Sequence, residues 1–364
     1  MKVSEITSYL ESIAPTVLQE GYDNAGLITG SGSCECKGIM VCLDATEEVI
    51  AEAFSKNCNL VIAHHPIVFK GLKKITGNNY VERAIIAAIK NDIAIYAIHT
   101  NLDNVIHGVN GMIADKIGLK NRSVLMAKEQ LLQKLVVYVP VTGKDNLLEA
   151  LFKAGAGNIG QYSECSFSGS GTGSFKGGKD SNPYVGKPGE RHYENEERVE
   201  VVFPAWLKKQ VIAAMKSAHP YEEVAYDLYS LENGYALTGS GLVAELETEM
   251  DERSFLEMLK NTFNIPLIRH TAFTGRKVKK VALCGGAGSF LTGAAIASGA
   301  DAYITADIKY HEFFDADGRL LLADIGHYES EQFTIDLLFD LIRKNFPKFA
   351  VLKTGSNTNP VNYF

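Results

Sequence analysis

The segment Leu60-Val61-Ile62-Ala63-His64-His65-Pro66 constrains this chain more than any other stretch. Four apolar residues lead straight into two histidines, and a proline stops the run. A short apolar run closed by a breaker reads as a buried strand. A strand buried on both faces belongs to a parallel sheet covered by helices. The histidines then fall where the strand surfaces, the usual place for chemistry in open α/β sheets. Adjacent neutral imidazoles can share metal ligation without repelling each other. Two histidines in a surface turn are the plain alternative, and the pair alone leaves both readings open.

The chain around this strand supplies the rest of a sheet. Apolar spacing (Val3, Ile6, Leu10, Ile13, Val17, Leu18) predicts an amphipathic first helix over 3–20. Strands follow at 38–46, 59–65 and 93–98, with helices over 47–56 and 79–90 between them. Strand–helix alternation predicts a parallel sheet with helices on both faces. The far end repeats the plan, with strands at 278–283, 302–305 and 320–325 and helices over 289–298 and 329–345. The third strand tips agree in spacing: His99-x-x-x-Asp103 in the first half and His327-x-x-x-Glu331 in the second. We read two similar α/β lobes from an old internal duplication, with a site between them.

Between the lobes the texture changes. Strands at 134–140, 198–203 and 224–228 and helices over 145–154 and 208–217 surround a Gly/Ser tract, Ser166 to Gly178. The start of the tract (162–167) can be a strand, and its tail reads as a mobile hairpin loop. The order β-α-β-β-α-β is that of a ferredoxin-like α+β unit. The expected domains are therefore 1–126, an insertion at 127–232, and 233–364.

The polar strand tips collect into His64, His65, Asp103, His327 and Glu331. Three imidazoles and two carboxylates suit Zn, Mn, Fe or Co. Five ligands overfill one tetrahedral ion but suit two, with positions left open for water. Glu331 is the candidate to bridge them. His99 is either a contact to the ligands or substrate, or an ordinary loop histidine. Asp307 and His311 either line the cavity or hydrogen-bond a ligand, or else they cap a helix. Gly285-Gly286-Ala287-Gly288-Ser289 has the form of a phosphate cradle, but without a Walker lysine or acidic ribose partner a tight turn is the better reading. His107, His192, His219, His270 and the pair Cys34-x-Cys36 read as structural or inert.

Bulk properties exclude more than they assign. A net charge of −7 with no Lys/Arg block argues against nucleic acid as a partner. No stretch reaches the ~20 apolar residues that span a bilayer, and the first residues lack the apolar core of a secretory signal. Six cysteines without a C-x-x-C pair fit a reducing compartment. The expectation is a cytoplasmic protein with no membrane contact.

Tyr22-Asp23-Asn24-Ala25-Gly26-Leu27, His64-His65-Pro66, His99-Thr100-Asn101-Leu102-Asp103 and Gly326-His327-Tyr328-Glu329-Ser330-Glu331 together resemble the Nif-three-like family of dinuclear metal-centre proteins. Thr305 to His311 and Asn357 to Val361 resemble it too, so the likeness spans both outer segments in order. Tyr22 stands where the family often has tryptophan, and Ala306 where it often has glycine. The insertion resembles the PII-like or CutA-like domain of longer members. The resemblance implies two divalent metal ions per chain, zinc foremost, held by His64, His65, Asp103, His327 and Glu331. It also implies a toroidal homohexamer with the metal sites facing an internal cavity. Some members carry the label of a GTP cyclohydrolase. The reaction class it suggests is metal-dependent hydrolysis of a small molecule; a non-catalytic metal-binding scaffold or regulatory protein is the alternative.

Overall fold

α1 (Val3–Ile13) buries Val3, Ile6 and Leu10, the helical spacing of its sequence. It stops short of the expected 3–20 because Pro15 disfavours helical backbone at Ala14; Thr16–Leu18 resume only as a 3₁₀ turn. Then come β1 (Gly26–Thr29), β2 (Ile39–Asp44), α2 (Glu47–Ser55), β3 (Leu60–His65), α3 (Tyr80–Lys90), β4 (Ala94–Ala97), α4 (Thr100–Asp103), α5 (Val109–Lys116) and β5 (Lys120–Lys128). The Thr46 and Asn79 side chains accept the backbone N–H of Val49 and Glu82, fixing where α2 and α3 begin. β2, β3 and β4 run parallel, and β1 closes the far edge of β4 antiparallel.

The computed structural model covers residues 1–364 and separates into two units, Met1–Ala127 with Leu237–Phe364, and Lys128–Ala236. The second unit holds β6 (Leu132–Pro140), α6 (Lys144–Lys153), β7 (Phe167–Lys176), β8 (Arg191–Pro204), α7 (Lys208–Ala218) and β9 (Tyr226–Leu231). Its antiparallel sheet has the order β7-β8-β6-β9, the ferredoxin-like arrangement. Leu135, Val137, Val199, Val201 and Phe203 pack with Leu147, Leu151, Val211 and Met215 of α6 and α7 into its core. The Gly/Ser tract is not a loop. It is the edge strand β7, paired from Phe167↔Glu200 to Lys176↔Arg191. Ladder bonds are main-chain bonds, so a long β8 can hold a partner of low strand propensity.

The second lobe contains β10 (Tyr235–Asp251), α8 (Glu252–Phe263), β11 (Arg269–His270), β12 (Lys277–Ala287), α9 (Thr292–Ala297), β13 (Ala302–Ala306), β14 (Leu321–Asp324), α10 (His327–Glu331), α11 (Thr334–Asn345) and β15 (Val351–Lys353). The helix expected over 329–345 is thus two helices, with α10 beginning at His327. β12, β13 and β14 run parallel, and β11 closes β14 antiparallel. This is the plan of β1 to β4 over again, down to an antiparallel strand that precedes the triplet and pairs with its third member.

The lobes also trade edges. β5 lies beyond β10 in the second sheet, while β15 pairs parallel with β2 in the first. The Glu52 carboxylate on α2 accepts bonds from Thr354 Oγ1 and the Gly355 N–H, tying down the chain just after β15. One core runs through both lobes, joining Val3, Leu10, Ile39 and Leu60 to Phe255, Leu283 and Ile342. No helix is long and apolar enough to cross a membrane.

Candidate metal centre

Both sheets aim the ends of their parallel strands at one place. β3 ends in His64, fully buried, and His65, partly buried. The chain leaves β4 through His99 into the single turn of α4, which ends on Asp103. It leaves β14 through Gly326, at φ +90°, where a Cβ would run into the Glu329 carboxylate; glycine allows this turn. α10 then sets His327 and Glu331 one helical turn apart on one face.

All five expected residues converge. Glu331 Oε2 lies 2.9 Å from His65 Nε2 and 3.2 Å from His327 Nε2. Its other oxygen, Oε1, lies 3.8 Å from His64 Nε2, which is 3.6 Å from Asp103 Oδ1. The ligand atoms form overlapping groups, His65–His327–Glu331 and His64–Asp103–Glu331, with Glu331 in both; His64, His65 and His99 make a third. Each imidazole is fixed through Nδ1: His64 to the Ile98 carbonyl at 2.9 Å, His65 to Asp44 at 2.8 Å, His99 to Asp23 at 2.8 Å, and His327 to Asp307 at 2.7 Å. Such outer partners set the tautomer and orientation of a ligating histidine.

Two buried atoms test whether this donor set fits an ion. His64 Nε2 and Asp103 Oδ1 have no hydrogen-bond partner, although an unmet buried polar group costs about 1–3 kcal/mol. Their 3.6 Å separation is too long for a hydrogen bond. Two ligands each ~2.1 Å from a tetrahedral ion stand about 3.4 Å apart. The donors therefore fit a divalent cation of the zinc class.

Without an ion, protons take its place. Burial pulls His65 down, but the Asp44 and Glu331 carboxylates overcome it and push its pKa up to about 10. Burial likewise opposes Glu331 and Asp307 at His327, and they prevail, raising it to about 11. Burial lowers His64. Burial and then the Glu331 charge hold Asp103 well above the usual carboxylate range. Glu331, though buried, is driven well below that range, first by His327.

The structure adds residues that spacing alone did not single out. Asp44 ends β2 and is registered against His65 across the β2–β3 ladder; a strand-tip reading extended to β2 would have found it. Its second oxygen accepts from Thr358 Oγ1 in the C-terminal tail at 2.7 Å. Asp23 holds both His99 and Thr100. Asp307, a candidate already from the sequence, follows β13 and holds His327, whereas His311 meets Tyr310 edge-on, stacks on Phe314 and does not line the cavity. The glycine turn is no phosphate cradle. The Gly285 N–H donates to Asn110 Oδ1 and the Gly286 N–H to Ser330 Oγ. A Cβ on Gly286 would overlap the Glu331 carboxylate, so this glycine makes room for Glu331. The centre forms the floor of a cavity of about 740 Å³ whose walls include Tyr22, Phe69, Tyr80 and Phe290.

Comparison with known proteins places the chain in a family. The family model for Duf34/NIF3 (NGG1p interacting factor 3) matches residues 1–360. A Bacillus subtilis protein named "GTP cyclohydrolase 1 type 2 homolog" is 40% identical over 364 residues, covering 99% of this chain and 98% of its own. A solved Bacillus cereus structure described as related to NIF3 superimposes with a TM-score of 0.87 at 36% identity, covering 100% of this chain and 99% of that one. A Staphylococcus aureus structure gives a TM-score of 0.78 at 30% identity, with 100% and 99% covered. The chain belongs to the Duf34/NIF3 family.

Proposed function

We propose that this chain is a metal-dependent hydrolase of a small molecule, built on a dinuclear centre of His64, His65, Asp103, His327 and Glu331. The observation that carries the reading is the pair of buried, unpartnered ligand atoms, His64 Nε2 and Asp103 Oδ1, beside a carboxylate whose two oxygens face different ligand groups. Zinc is the ion the donor set suits best. When bound, two such ions would supply Lewis acidity and would lower the pKa of a bound water toward ~7. The chain's own part is to orient. Asp44 and Asp307 aim His65 and His327, the Ile98 carbonyl aims His64, and Glu331 spans the two groups. Asp23 holds His99 at the edge of the same cavity.

The names of the relatives make GTP the first substrate to try, with hydrolytic opening of the guanine imidazole ring as the reaction. A toroidal homohexamer is part of the reading, supported by the family resemblance and by exposed aromatics such as Tyr310 and Phe314. A PII/CutA-like role for the insertion is supported by its ferredoxin-like strand order. A reducing cytoplasm is supported by six cysteines that form no disulfide. The test is a metal-replete screen of the full chain against nucleotides and phosphoesters, with Glu331→Gln as control. Turnover that vanishes in the variant upholds the reading; turnover that persists unchanged, or none with any substrate, overturns it.

A further inference from the structure

The cavity above the metal centre also says what kind of molecule it takes, an inference that rests on the function proposed above. No lysine or arginine lines it. Its acidic groups are Glu20, Asp44, Asp103 and Glu331, and its only basic groups are the histidines. Five carboxylates surround the centre in all: Asp103 and Glu331 among the ligands, and Asp23, Asp44 and Asp307 behind His99, His65 and His327. Two divalent ions bring four positive charges against these five negative ones, so even the loaded centre is not cationic. A triphosphate carries about four negative charges and is bound elsewhere by clusters of Lys, Arg or free backbone N–H groups. The glycine amides at positions 285 and 286 that might have served are already donated within the protein.

What the cavity does offer is aromatic surface. Tyr22, Tyr80 and Phe290 line it yet are 71%, 63% and 63% exposed. Phe69 also lines it and stands edge-on to His99, with ring centroids 5.7 Å apart. Large aromatic side chains left open around a cavity are partners for a flat ring. The volume of about 740 Å³ accommodates a drug-sized molecule.

We propose that the site recognises a flat, uncharged heterocyclic ring of nucleobase type through its aromatic wall, and does not grip phosphates. A nucleotide would bind by its base, with the phosphates contributing little.

The test uses the zinc-loaded full chain and matched pairs: guanosine with GTP, adenosine with ATP, cytidine with CTP. Binding is read by calorimetry at two salt concentrations, and metal content is measured in parallel. The expected result is that at least one nucleoside binds within about threefold of its triphosphate, with little salt dependence. Phe290→Ala and Tyr22→Ala, exposed residues outside the candidate ligand set, should each weaken that binding about tenfold while the metal content stays constant. Triphosphates binding tenfold or more tightly than every nucleoside, steep loss of binding with salt, or no nucleoside binding at all would overturn the proposal. Any of these with full metal occupancy leaves the metal centre standing. A chain that takes up no metal fails the earlier reading instead.

Discussion

The two lobes share a strand plan but contribute differently to the centre. In both, the third parallel strand ends in a short helix carrying a carboxylate, Asp103 after β4 and Glu331 after β14. The middle strands diverge. β3 ends in His64-His65, which enter the centre directly, whereas β13 ends in Thr305-Ala306 and is followed by Asp307, which reaches the centre only through His327. The first lobe thus supplies three of the five candidate ligands and the second supplies two, one of which, Glu331, belongs to both candidate groups. Two lobes of one strand plan can therefore build one asymmetric site: shared topology fixes where the tips meet, and local sequence decides which tip carries a candidate ligand and which supports one.

The sharpest way to break this comparison is to remove one ligand from each group. His64→Ala and His327→Ala should each lower the metal stoichiometry from two to one, read by elemental analysis after dialysis. Loss of both ions from either variant would mean the groups are not separate. The supporting carboxylates should matter less. Asp44→Asn and Asp307→Asn, one behind each lobe's histidine, should each weaken metal binding about 10–100-fold in competition with a chelator. Affinity unchanged in Asp307→Asn would remove the role assigned to the β13 tip.

A gentler contrast is in protons. In the metal-free chain His65 and His327 hold protons up to about pH 10 and 11 against their carboxylates. These raised values stabilise the fold fully below about pH 6.5, the ordinary histidine value, and the contribution fades as pH rises through 10 to 11. An incoming ion must displace these protons, so its affinity should rise from pH 6 to 9 with proton release, seen as buffer-dependent binding heat. The smallest expected effect is at the exchanged edge. Burial opposes it, but bonds from Lys56, Thr354 and Gly355 bring the Glu52 pKa down to about 2. That stabilisation is complete above about pH 4.3 and is lost as pH falls toward 2. Glu52→Gln should therefore lower the melting temperature at pH 7 and leave it unchanged near pH 2.

Much of this was legible from residues alone, because the strands that carry ligands are short, apolar and closed by polar tips. His64-His65 after Leu60–Ala63, and the paired spacings at His99/Asp103 and His327/Glu331, needed only strand and helix periodicity. What stayed hidden depends on cross-strand register or on main-chain pairing. Asp44 is readable as the tip of β2, but it supports His65 because β2 and β3 align those two residues, a register that no local pattern reveals. β7 forms because β8 extends to meet it, although its own glycines argue for a loop. Pro15 divides a segment whose apolar spacing continues past it, so periodicity alone overruns the end of α1.

The most direct measurement is anomalous scattering at the zinc edge from crystals of the zinc-loaded chain. The expected map has two peaks, one among His64, Asp103 and Glu331 and one among His65, His327 and Glu331. A single peak, or none within reach of Glu331, would contradict a dinuclear centre shared by the two lobes.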